Sequence, residues 1–110
     1  MADYTSYIKY TEDNVRSNVP ESGGVYKIGK EKPNDTSKVS VVYVGKSDNL
    51  QRRLLEHLSN TESNDCLKKK VSSGNLWIAW TVISGSAQRT AEETDRIEHF
   101  SPECNTQHNS

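Results

Sequence analysis

The sequence predicts an α/β domain of the α+β type: a small three-stranded, mainly antiparallel sheet flanked by helices. Three observations predict it. Residues 39–44 form a β-branched and aromatic run that a short Val/Tyr/Ile segment at 24–28 can pair with. Leu50, Leu54 and Leu58 follow at helical spacing, and bulky apolar residues alternate from Leu76 to Ile83. Finally, 110 residues hold one domain with one modest core, too short for the crossovers of a doubly wound parallel sheet.

In chain order, Thr11 can cap a short helix over 12–18, with Glu12 and Asp13 suited to its positive end. Pro20, Gly23 and Gly24 stop that helix. The segments 24–28 and 39–44 read as a hairpin, and Pro33-Asn34-Asp35 supplies turn chemistry to a long loop over 29–38. Ser47 or Asp48 can cap the next helix, over about 49–59. A weaker helix over 62–72 carries Lys68, Lys69 and Lys70. A third strand follows over 76–83, then a helix over 87–99 that Pro102 closes off. The expected organisation is an N-terminal segment over 1–22, a functional domain over 23–106 and a polar tail over 107–110.

Hydrophobic residues make up 32% of the chain and charged residues 26%, so the core is small and the surface polar. A net charge of −1 excludes a strongly basic nucleic-acid coat but not a locally positive cleft. No stretch approaches a membrane span, and no basic segment with an apolar run stands at the N-terminus. Cys66 and Cys104 have no CxxC spacing, which reads as two free thiols in a reduced, cytoplasmic setting.

Two familiar motifs fail on spacing. Gly45-Lys46-Ser47 after a strand suggests a phosphate loop, but that motif needs Gly where Ser40 stands. Cys66, Cys104, His57, His99 and His108 contain no pair at zinc-finger or ribbon spacing. The helix after the second strand says more. Arg53 and His57 lie four apart on one face, bordering the leucine stripe. There a guanidinium can hold a phosphate oxygen in its fork, or simply pair with a carboxylate while His57 packs its ring. On the last helix Glu93 lies one turn before Ile97, on the face expected to look inward. A carboxylate there needs a cation or a hydrogen-bond partner. Thr90-x-x-Glu93 also fits a capping box if the helix starts late, whereas a cap at Ser86 puts Glu93 well inside.

Taken together these residues resemble the GIY-YIG nuclease superfamily of excision-repair, homing and restriction endonucleases. Gly24-Val25-Tyr26 is similar to the GIY element and Tyr43-Val44-Gly45 to the YIG element, with Lys46 following as in repair-type members. Arg53, His57, Glu93 and the Pro102-x-x-Asn105 ending stand at the family's later positions. The resemblance runs from about Gly23 to Asn105, and the long 29–38 loop is its main departure.

The resemblance implies a metal-dependent endonuclease acting on DNA, with RNA also admissible. Glu93 would hold one Mg²⁺ or Mn²⁺, and Arg53 would stabilise the developing charge. Tyr26 is the first choice for the group that deprotonates the water, Tyr43 for positioning the phosphate, and His57 for relaying a proton or binding phosphate. A free tyrosine titrates near ~10, so a catalytic one needs positive charge nearby. Lys46 and Asn105 would stand beside the substrate, Asn105 mainly holding the site together. Lys68, Lys69 and Lys70, with Arg89 and Arg96, are candidates for the nucleic-acid backbone or for a solvated face. The rival expectation is a non-catalytic nucleic-acid-binding or interaction module of the same fold. A homodimer or a targeting protein could supply further affinity.

Overall fold

A computed structural model describes residues 3–32, 34–59 and 64–105. Its elements are β1 (Ile8–Lys9), α1 (Glu12–Asn18), β2 (Gly24–Lys32), β3 (Asp35–Ser47), α2 (Leu50–Leu58), α3 (Asp65–Ser73), β4 (Leu76–Val82) and α4 (Ser86–Phe100). The sheet is wholly antiparallel, in the order β1-β4-β2-β3. It has one strand more than expected, because Ile8 and Lys9 add a short edge strand to β4. Two residues in a polar segment carry no strand signal of their own, and it is the free edge of β4 that recruits them.

The β2–β3 hairpin sets the register of everything else. Tyr26 pairs with Gly45 and Ile28 with Tyr43. The long loop expected over 29–38 is instead a continuation of both strands, which reach Lys32 and Asp35. Pro33 lies outside the described residues. A register shift after Ile28 sets Gly29 opposite Val41, so the ladder skips Val42. The Val42 carbonyl is thereby left to accept the Cys104 N–H at 2.8 Å.

Local chemistry explains the helices. Thr11 caps α1 as expected, accepting from the Asn14 N–H at 3.1 Å. Asn49, rather than Ser47 or Asp48, caps α2, accepting from the Arg52 N–H at 3.0 Å. The Ser47 hydroxyl is occupied in a local turn with Asn49. Gly85 precedes α4 without a side-chain cap, and the Thr90 hydroxyl donates to the Ser86 carbonyl at 3.1 Å inside the helix. Thr90 therefore forms no capping box, and Glu93 sits within the helix body.

The two faces of the sheet are covered differently. Tyr26, Ile28, Ile78 and Trp80 face α1, α2 and α3, where Val15, Leu50, Leu54 and Leu67 fill the core. Burying a leucine in such a core contributes about 1.5–3 kcal/mol. Alternate residues Val25, Val44 and Ala79 line the other face, which α4 covers. On that face the Lys27 ammonium lies 4.3 Å from the Tyr4 ring and 5.4 Å from those of Tyr7 and Phe100. Burial lowers the Lys27 pKa, with Arg96 adding to the effect. Burial, helped by the hydrogen bond that Tyr4 donates to Glu92, raises that of Tyr4.

One expectation is corrected outright. Cys66 and Cys104 are not free thiols but form a disulfide, with Cα atoms 5.2 Å apart. The turn after Pro102 carries Cys104 back against the first turn of α3, a pairing across 38 residues that spacing alone does not reveal. Among the described residues no helix is long and apolar enough to cross a membrane.

Candidate active site

The hairpin register puts Tyr26 and Tyr43 on one sheet face, with ring centroids 6.2 Å apart. Residue 45, directly opposite Tyr26, has to be Gly. A Cβ there would collide with the Tyr26 hydroxyl and ring carbons, so the glycine is the floor on which the phenol lies. The Tyr26 ring is packed among core residues and has little room to give way. Gly45→Ala is expected to cost about 1–3 kcal/mol, read as a melting temperature lower by about 5–20 °C. An unchanged melting temperature would show that the ring swings aside freely.

Helix α2 brings the third member. Leu50 and Leu54 anchor one stripe of the helix in the core, and His57, continuing it, is fully buried. Its Nε2 lies 2.6 Å from the Tyr26 hydroxyl. The His57 ring stands 5.6 Å from the Tyr26 ring and 5.5 Å, edge on, from that of Tyr43. A buried imidazole and two buried phenols thus form one cluster. Arg53, one turn earlier on α2, is about a third exposed and forms an ion pair with Glu56 at 3.2 Å. The ion-pair reading of Arg53 is thus realised without removing its guanidinium from the surface.

The other expected site residues stand apart from this cluster: Lys46 and Glu93 belong to the α4 side of the sheet, Asn105 to the edge of β3, and Lys68, Lys69 and Lys70 to α3. Lys46, at the end of β3, crosses to α4 and donates to the Thr90 hydroxyl at 2.7 Å. Glu93 is half-buried on the same helix, one turn beyond Thr90. Asn105 spends both ends of its amide on Val44, accepting from its N–H and donating to its carbonyl, each at 2.8 Å. It clamps the backbone of the Tyr43-bearing strand. Lys68 and Lys69 are exposed on α3, and Lys70 pairs with Glu103 at 3.1 Å. The clefts they border are lined by α3 itself, Lys30 and Glu103, and by none of the tyrosines, Arg53, His57 or Glu93. Arg89 is spent on the carbonyls of Ile83 and Ser84, and Arg96 on Glu92 and Asp95.

Among the described residues no group of three or more His, Cys, Asp or Glu gathers as a cage. The donor chemistry is that of a single carboxylate, which suits Mg²⁺, an ion that takes one or two carboxylates and keeps its waters. Sequence reasoning missed Asn64, which caps α3 and also donates to the Cys104 carbonyl at 3.1 Å. Its only sequence signal was an ordinary cap residue before a helix.

A tyrosine hairpin backed by an Arg/His helix, with a carboxylate-bearing helix on the other face, defines the class: this is the GIY-YIG fold, as the motifs implied. The particular likeness is to UvrC. Over 97 residues, 87% of its length, the chain is 31% identical to UvrABC system protein C of Aquifex aeolicus (strain VF5), spanning 16% of that relative. The GIY-YIG N-terminal endonuclease domain of UvrC from Thermotoga maritima, bound to magnesium as its catalytic divalent cation, superposes with a TM-score of 0.62 at 21% identity. That match covers 86% of this chain and 98% of the neighbour. A point mutant of the same domain bound to its catalytic divalent cation gives a TM-score of 0.63 at 21% identity, over 86% and 97% of the two chains. No protein-family model matches the chain.

Proposed function

We propose that this domain is a metal-dependent endonuclease that hydrolyses phosphodiester bonds in DNA, RNA being open to it through the same backbone chemistry. The observation that carries this reading is the 2.6 Å hydrogen bond between the Tyr26 hydroxyl and His57 Nε2, with the Tyr43 ring beside both. A lone phenol is a poor base at neutral pH because it holds its proton. With His57 in the tautomer that leaves Nε2 unprotonated, the phenol donates its proton to the imidazole. When the Tyr26 oxygen takes a proton from the attacking water, its own passes to His57 Nε2, so no free phenolate is needed. Tyr43 orients the phosphate, and Arg53 reaches its developing charge from the exposed end of α2. Glu93 would hold the Mg²⁺ or Mn²⁺, which supplies Lewis-acid stabilisation of phosphate charge. Asn105 keeps the Tyr43 strand in place from behind.

Lys46, at the end of the tyrosine strand, is the favoured phosphate contact, while Lys68, Lys69 and Lys70 would meet nucleic acid only at a distance from the chemistry. With a net charge of −1 the domain brings little sequence-independent attraction of its own. A second copy or a targeting partner is the natural source of the rest. The proposed setting is cytoplasmic.

The test is nicking of supercoiled plasmid. Wild type nicks in Mg²⁺ or Mn²⁺ and stops when a chelator removes the ion, and Arg53→Ala loses about 10²- to 10³-fold. The second reading, a module that binds without cutting, draws on the Arg53–Glu56 ion pair, which occupies the guanidinium. It is favoured if wild type shifts DNA in a gel yet nicks no DNA or RNA under any divalent ion.

A further inference from the structure

The Cys66–Cys104 disulfide joins two unlike surroundings. Cys104 is fully buried and lies next to Asn105, the residue that clamps Val44. Its own N–H and carbonyl are held by Val42 and Asn64. Cys66 is only partly buried and lines a cleft of about 390 Å³ with Lys30, Lys69 and Lys70 against Asp65 and Glu103. Three lysines against two carboxylates leave that cleft with a positive excess. The nucleophile in disulfide exchange is an anionic thiolate, and it attacks whichever sulfur it can reach. Of the two cysteines, Cys66 is the one that lines a cleft and is not fully buried.

We propose that Cys66 is a thiol-exchange site, open to low-molecular-weight thiols and disulfides, and that exchange there sets the grip of Asn105 on the tyrosine strand. A thiolate attacks the Cys66 sulfur and forms a mixed disulfide. The Cys66–Cys104 bond breaks, and its electron pair leaves on Cys104, which takes up a proton. A second thiol then displaces the first as external disulfide, leaving both cysteines reduced by two electrons drawn from the two thiols. The reverse sequence, with an external disulfide as oxidant, restores the bond. Reduction removes the covalent tie holding the segment from Pro102 to Asn105 against α3, and the clamp on Val44 is left to hydrogen bonds alone. In a reducing compartment such a bond is of the transient, regulatory kind.

The Val44 amide reports on this directly, because its N–H donates to Asn105 Oδ1. Folded wild type is equilibrated in dithiothreitol or in oxidised glutathione, its cysteines are counted by alkylation and mass, and amide exchange is followed by NMR. Expected in dithiothreitol are two alkylated cysteines, Val44 exchange at least about 10-fold faster, and a melting temperature lower by about 8 °C or more. The double variant Cys66→Ser/Cys104→Ser shows the reduced-state rates in both buffers. Cysteines that resist alkylation until the protein is denatured would overturn the proposal, as would equal Val44 exchange in both buffers. A plasmid-nicking arm, resting on the endonuclease reading, is expected to slow several-fold on reduction. Absence of nicking in both buffers counts against that reading alone, since the exchange data decide the redox site independently.

Discussion

Tyr26→Phe is expected to slow single-turnover plasmid nicking by about 10²- to 10⁴-fold, the range that a positioned acid–base group supplies. The phenylalanine ring still lies on Gly45 and fills the core, so the fold is retained. What disappears is the oxygen 2.6 Å from His57 Nε2, and with it the proposed route for a proton to the imidazole. His57→Ala is expected to fall by a similar factor, and the double variant by no more than either single one, because the pair acts as a unit. Losses that multiply in the double variant would contradict the relay. Tyr43→Phe supplies the comparison. Tyr43 is 7% exposed against 1% for Tyr26, so if its loss is clearly the greater, the more open tyrosine is the base and Tyr26 only positions His57.

The second large effect concerns stability. Asn105→Ala strips a partner from both the N–H and the carbonyl of Val44, which is itself fully buried. An unsatisfied buried polar group costs about 1–3 kcal/mol, so the pair amounts to roughly 2–6 kcal/mol. Thermal unfolding is expected to show a melting temperature lower by about 10 °C or more. A shift below about 3 °C would show that another group or water takes over the clamp. The bond that Cys104 makes to Val42 lies two residues away along β3, so losses at the two points are expected to couple rather than add.

Much of this was legible in the sequence. The β-branched run ending in Tyr43-Val44-Gly45 pairs as expected, and Leu50 and Leu54 form a buried stripe that Arg53 borders; His57, expected at the border too, lies inside it, and Leu58 is only half-buried. These are local, periodic signals, and local sequence carries them. Thr11 capped its helix for the same reason. What stayed hidden depends on contacts between distant segments. The strand at Ile8–Lys9 exists because β4 offers an edge, and the Cys66–Cys104 bond because the turn after Pro102 returns to α3. The hairpin beyond Ile28 misled in the opposite direction: Asn34 is a turn residue, but β2 runs on to Lys32 and β3 already begins at Asp35. Within the site, the pairing of Tyr26 with His57 could not be read from two residues 31 positions apart, whereas their presence could. Charge patterning was the least informative signal. Arg89 and Arg96 go to internal partners, and Lys70 to Glu103.

The central claim is that one carboxylate, Glu93, serves a metal-dependent cleavage whose proton chemistry belongs to the tyrosine–histidine cluster. The most direct measurement is nicking of supercoiled plasmid across a Mg²⁺ titration by wild type and by Glu93→Ala, with the melting temperature of each recorded. Predicted is saturable, Mg²⁺-dependent nicking by wild type and a loss of at least about 100-fold in the folded variant, the size expected when several kcal/mol of charge stabilisation is removed. Nicking that persists undiminished in the folded Glu93→Ala protein would contradict it.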